Sequence, residues 1–333
     1  MGWKGAVRSI ETGMRRAARE REREAKLRAK EAKLNHAAET VRVYEDYVRK
    51  LVSVHCDCSQ SVNWKGLASK PEPPRPEVSN SKVVAATNRL ENYRPGFLTR
   101  ALKQAEKAQR KLQEAVTAAR AEDERDHQSA LKEWAAAHQE WEEETESARQ
   151  IVSGEPDAMI KAIELHNPFK AISDLGSSLN FAAGEGQTFS VVLSVHGEEI
   201  VPDMRYSLLA SGRLSEKPLA KRAFNELYQD YVCSSVLRVA REVFALLPIE
   251  IAVVTAQDDL LNTSTGHKEP TPILSVAVSR STLSNLNLRS IDPSESIKNF
   301  VHKMNFKTTS GFCKVKPIDP ADFPLEPTRE IGN

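Results

Sequence analysis

The first proline in this chain is Pro71. Proline lacks a backbone N–H, and its ring clashes with the preceding helical turn. A stretch of this length without one leaves a long helix open. From about Ser9 to His55 the residues are mostly Ala, Arg, Glu, Lys and Leu, the strongest helix formers. Leu27, Leu34, Val41, Val48 and His55 recur every seven residues, with Ala38, Tyr44 and Leu51 between them. That repeat places an apolar stripe along one helix face, as in a coiled coil. The helix is expected to end near Cys58. Pro71, Pro73, Pro74 and Pro76 then crowd into one short run, so Lys70–Pro76 is expected to be extended. A short helix from about Ser81 to Asn92 and a turn at Tyr93–Gly96 follow.

A second long helix is predicted from about Phe97 to Val152. Leu98, Leu102, Ala105, Leu112, Val116 and Ala119 mark its seam, which fails across Glu122 to Ser129 and resumes at Leu131, Trp134, Trp141, Ala148 and Val152. At ~1.5 Å per residue it is about 80 Å long.

Charge suggests how the two helices pair. The 333 residues carry 47 Lys+Arg and 46 Asp+Glu, a net charge of +1. Residues 1–34 hold 11 basic and 5 acidic side chains, and residues 121–150 hold 3 and 10. With Cys56 beside Leu98, an antiparallel pairing sets these segments against each other. The same register aligns the polar gaps of the two seams, and places Trp3, Val7, Ile10 and Met14 opposite Ile151, Ala148 and Trp141. Agreement among independent features favours one register. The expectation is an antiparallel coiled-coil hairpin over residues 1–153, with a Pro-rich connection at 59–96.

Residues 154–320 read as a small globular α+β sandwich, and 321–333 as an irregular tail. Pro156 to His166 is a short helix, with Pro in its first turn. A turn at Ala183–Gly186 precedes a strand in which Phe189, Val191, Leu193 and Val195 alternate with more polar residues. A helix from about Pro218 to Leu247 follows, then strands at Ile249–Thr255 and Ile273–Val278. A helix opened by Asp292-Pro293 and running to about Met304 comes next, and a last strand spans Phe312–Ile318. The order strand, helix, strand, strand, helix, strand is ferredoxin-like.

Candidate chemistry is sparse. Thr263, Ser264, Thr265, Gly266, His267 and Lys268 form a polar loop that could cradle a phosphate through backbone N–H groups, although the P-loop spacing is absent. A polar hairpin turn is the simpler reading. His55, Cys56 and Cys58 carry metal-binding side chains without the four-ligand spacing of a structural zinc site. No metal, cofactor or catalytic residue is assigned. A metal-dependent nuclease or phosphate-handling enzyme would need Asp203, Glu250, Asp258, Asp259, His267 and Lys268 to converge. Glu216-Lys217 is read as a loop. Binding of nucleic acid by the basic first helix would use Arg15 to Lys30, but interspersed glutamates weaken it.

No apolar run approaches the ~18 residues of a transmembrane helix. The start lacks the apolar stretch of about 7–15 residues of a signal peptide, and four cysteines suit a reducing compartment, so a cytoplasmic location is expected. The leading expectation is an interaction or assembly protein, not an enzyme, whose helical arm docks a partner protein or a second copy. Trp134 and Trp141 are its expected interface anchors, since aromatics dominate hot spots. Trp3, Ile10 and Met14 form a further stripe.

Overall fold

The computed structural model describes residues 3–94, 105–170, 178–183 and 188–323, with side chains for all of these except 3–18 and 182–183. The turn expected at 184–186, the start of the second long helix at 97–104, Pro95–Gly96 and the tail beyond 323 lie outside the described residues.

The chain divides into two compact units: residues 1–62 together with 154–333, and residues 63–153. In the first unit, helix α1 (Trp3–Val52) ends with Arg49 and Lys50 in its last turn, where cations suit the carbonyl end of the helix dipole. From Leu34 onward an apolar stripe of α1 is covered, although Ala38 of the expected seam is exposed and Ala37 is buried in its place. Ala37, Val41, Leu51 and the following His55 are buried, and Leu34, Tyr44 and Val48 are half-buried.

Residues 63–153 hold α2 (Trp64–Ala68), α3 (Ser81–Glu91) and α4 (Ala105–Ser153). The first unit continues with α5 (Pro156–His166), β1 (Ser178–Ala183), β2 (Thr188–Ser194) and the one-turn α6 (Gly197–Ile200). The hairpin β3 (Met204–Leu208) and β4 (Leu214–Pro218) leads into α7 (Lys221–Leu246). Then come β5 (Ile251–Leu261), β6 (Lys268–Ser279), α8 (Arg280–Ser284), α9 (Pro293–Ser296), β7 (Val301–Met304), β8 (Phe306–Lys307) and β9 (Gly311–Phe312).

The fold of this unit is α+β around a five-stranded sheet of order β1-β2-β5-β6-β7. Only β2 and β5 run parallel; the other neighbours are antiparallel. A parallel pair requires a crossover, which α7 supplies. Residues 231–240 of α7 are all buried, which is why this helix shows no single apolar stripe. Strands β5 and β6 are buried on successive residues, as expected where both sheet faces are covered. One face is coated by the segment after β9: Ile318 packs with Val253 and Ala277, beside Ile251 and Phe323.

This is not the ferredoxin-like order. The helix expected from Asp292 stops after one turn. Asp292 caps it through Glu295 N–H (2.9 Å), but residues 297–299 tighten to a 3-10 turn and Val301–Met304 joins the sheet edge. Of the strand expected at Phe312–Ile318, only Gly311–Phe312 is a strand, paired with Phe306–Lys307. Strands β1, β3 and β4 were not expected from the sequence.

Within each unit the long helix has defined partners. The seam of α1 packs on α7, β3 and β4, with Tyr44 edge-on to Tyr206 at 5.6 Å and the Tyr47 hydroxyl donating to the Ile200 carbonyl at 2.7 Å. The seam of α4 is lined by α2, the proline run and α3. Within residues 63–153, the segment that runs antiparallel to α4 is the one read from sequence as a connection.

Candidate functional site

Trp134, His138 and Trp141 stand at i, i+4 and i+7 on α4, one above another on one face. The His138 ring lies 4.9 Å from that of Trp134 and 5.3 Å from that of Trp141, centre to centre. An indole N–H that is half-buried needs an acceptor. A proline-rich run has carbonyls to spare, because prolines donate nothing and an extended chain bonds none of its own. Trp134 Nε1 donates to the Pro73 carbonyl at 2.9 Å, and Trp141 Nε1 to the Lys70 carbonyl at 2.8 Å. His138 Nε2 sits 3.0 Å from Glu72 Oε1, Lys70 Nζ pairs with Glu144 at 2.6 Å, and the Arg75 guanidinium lies 5.6 Å over the Trp134 ring.

Farther along, the polar gap of the seam acquires a purpose. Asp123 is buried there, and its carboxylate accepts from the backbone N–H groups of Lys82 (3.3 Å) and Val83 (2.9 Å). These belong to the first turn of α3, whose N-cap Asn80 makes no side-chain bond. Lys82 Nζ adds ion pairs to Asp126 (2.6 Å) and Glu122 (3.5 Å).

The tryptophans expected as partner anchors are thus engaged with a segment of their own chain. Trp3, Ile10 and Met14 lie on the α1 backbone, and their side chains fall outside the described residues. His138 and Asp123 were not singled out from sequence, although the four- and three-residue spacing of His138 to the tryptophans was legible.

The loop Thr263–Lys268 is the β5–β6 hairpin turn. The N–H groups of Ser264, Thr265, Gly266 and His267 turn onto Asn262 and Thr265. Asn262, and then Thr265, also bond Glu269, holding its carboxyl below the usual range. Lys268 pairs with Glu198 at 2.5 Å. The N–H groups of Ser264 to His267 are thus bonded within the turn.

The proposed enzymatic cluster divides. Asp203, Asp258 and Asp259 line one cavity of about 370 Å³, together with Glu198, Lys221 and Tyr228. Asp258 is buried and accepts three hydrogen bonds: from the Tyr228 hydroxyl, from Gly197 N–H at 3.0 Å and from Asp259 N–H at 2.8 Å. Burial, then the Asp258 charge, raises the Tyr228 phenol. A Cβ at Gly197 would collide with the Tyr228 ring. Glu250 precedes β5, eight residues from Asp258, and so lies roughly 25 Å away along the strand. His267 is at the exposed turn. Glu216 and Lys217, expected in a loop, are on β4. Among the described residues no three His, Cys, Asp or Glu side chains are placed to share a metal ion.

His55 is held by both ring nitrogens, 2.8 Å from Ser234 Oγ and 3.0 Å from the Leu288 carbonyl, and burial lowers its pKa. Cys56 Sγ donates to the same carbonyl at 3.4 Å. Cys58 borders a second cavity of about 400 Å³ with Arg241 and Arg280. Arg280 donates to the carbonyls of Phe244, Leu247 and Ile249, and Arg241 to those of His55 and Asp57. These guanidiniums close off the ends of α7 and of the 3-10 turn Val54–Cys56 that follows α1.

No protein-family model, no curated protein and no solved structure matches this chain. No helix among the described residues is long and apolar enough to cross a membrane.

Proposed function

We propose that the protein is a non-enzymatic interaction or assembly protein, in which α1 is a helical arm that docks a partner protein or a second copy and the α+β unit is its base. The observation that carries this reading is the exposure of every residue from Arg19 to Lys33 while the stretch remains helical. Leu27, which continues the seam of Val41 and Leu51, is 60% exposed. Seven basic and four acidic side chains surround it. The local ion pairs Lys26–Glu22 (2.7 Å) and Arg28–Glu24 (3.9 Å) contribute only ~0.3–0.5 kcal/mol each at such exposure. A helix without burial is marginal in water, and a partner that covers Leu27 supplies what the arm lacks.

The test is light scattering of the full chain over a wide concentration range, with chemical cross-linking in lysate, for wild type and Leu27→Asp. The expected result is an assembly or a cross-linked partner that Leu27→Asp removes without changing the thermal unfolding midpoint. A monomer at all concentrations, with identical cross-links for both proteins, overturns the reading. Steeply salt-dependent binding of duplex DNA or RNA through Arg19–Lys33 overturns it in favour of nucleic acid.

A further inference from the structure

We propose that the Trp134–His138–Trp141 face of α4 is a binding site for polyproline II peptides, and that residues 70–76 are its ligand in cis. The argument is one of matching periods. Pro71, Pro73, Pro74 and Pro76 fix their own φ near −65° and keep the residues before them out of the helical region. Such a chain turns once every three residues, rising ~9 Å. The carbonyls of Lys70 and Pro73 are three residues apart and therefore point the same way. On α4, Trp134 and Trp141 are two helical turns apart, ~10.5 Å. The two repeats coincide, so each indole meets one carbonyl, at 2.9 and 2.8 Å. Tryptophan N–H groups on polyproline carbonyls, with prolines against aromatic rings, are the contacts by which proline-rich segments are read generally.

The site also selects by charge. The Lys70 ammonium meets Glu144, and five residues on the Arg75 guanidinium covers Trp134. The ligand class is thus Lys-Pro-x-Pro-x-Arg, running antiparallel to α4. Nothing in these contacts requires a covalent tether. Residues 69–80 are exposed apart from Pro73 and Pro76, which are half-buried, so little burial is lost when the segment lifts. A tethered segment competes at an effective concentration of about millimolar, and a ligand in trans must overcome that. This inference is separate from the docking of α1, and its test leaves Arg19–Lys33 untouched.

The test uses the full chain with residues 70–76 replaced by a Gly/Ser linker of equal length, and a fluorescent peptide copying residues 68–78. Saturable anisotropy is expected, weakened at least tenfold by Trp134→Ala or Trp141→Ala and by replacing the peptide's four prolines with alanine. Trp141→Phe, which keeps a ring but loses the donor, weakens it by an intermediate factor. A second measurement keeps the wild-type chain. A spin-labelled peptide of the same sequence, at millimolar concentration, broadens the indole N–H resonances of Trp134 and Trp141, and a spin-labelled peptide with its four prolines replaced by alanine does not. Absence of broadening in the wild type, or a folded linker variant that gives no saturation, overturns the proposal.

Discussion

The charged groups that α7 carries into the interior set the conditions under which this fold is stable. Arg238 and Glu242, one turn apart, form a 2.6 Å ion pair in which Glu242 is fully buried and also accepts from Ser59 N–H. Asp230 has a different setting. Burial, and then the negative Asp292 and Glu226, push its carboxyl up to about 6, against a lowering hydrogen bond from Ser294. The folded state therefore binds this proton more tightly than the unfolded chain, whose carboxyl titrates near 3.8. The contribution is fully present below about pH 4 and is lost as pH rises through about 6. Asp230→Asn should raise stability near pH 7.5 by about 1 kcal/mol, a figure reduced for the side chain's partial exposure. The gain should vanish near pH 4. Urea unfolding at both pH values checks this, and an equal change in midpoint at the two would refute it.

Among the elements, α3 depends on a distant residue for its cap. Asp123 satisfies two of the N–H groups that the helix start leaves orphaned. Asp123→Ala should cost about 1–2 kcal/mol, the usual loss for a helix cap, and Asp123→Asn less, because one carbonyl oxygen remains to accept. Tryptophan-monitored urea unfolding of the full chain measures both. The same residue explains where sequence reading stops. Periodicity located α1 and α4 because each buries a face at helical spacing, Pro156 marked the start of α5, the apolar run of α7 marked a helix buried all round, and alternation located β2. Periodicity also exposed a gap in the α4 seam near Glu122–Ser129, but a gap has no unique meaning. Matching it to a gap in α1 gave a consistent register, but the polar side chains of such a gap also suit other occupants. Its occupant within residues 63–153, the α3 N-terminus, is 40 residues away, and its N-cap Asn80, a favoured capping residue in sequence, makes no side-chain bond. Likewise Pro71–Pro76 was legible as extended chain, and Trp134 and Trp141 as residues needing partners. The link between them is a pair of backbone carbonyls, which no side-chain pattern encodes. The Asp292-Pro293 start was read correctly and its length wrongly, since a cap specifies where a helix begins and tertiary pairing of Val301–Met304 decides where it ends.

At the scale of the whole molecule, the two units differ in how they are held. The unit of residues 1–62 and 154–333 has an interior of fully buried aliphatic and aromatic side chains: Tyr231, Phe189, Leu193, Leu237 and Ile273 are among those below 2% exposure. Within residues 63–153, Val78 and Val84 stay 62% and 54% exposed, and α3 contributes only Ala86 to the buried set. Indole N–H bonds, the Asp123 cap and surface ion pairs do much of the holding there. Apolar burial contributes ~25 cal/mol per Å², while exposed ion pairs contribute ~0–1 kcal/mol. Residues 63–153 should therefore open at lower urea than the sheet-containing unit, as separate cooperative transitions rather than one. The chain offers a direct readout, because three of its four tryptophans, Trp64, Trp134 and Trp141, lie in the weaker unit. In a Trp3→Phe background, the fluorescence transition should precede the loss of slowly exchanging amides in β2, β5 and β6. Coincident transitions would show that the tryptophan face and its proline segment are as firmly closed as the sheet, leaving no state in which the cis segment lifts while the sheet remains folded.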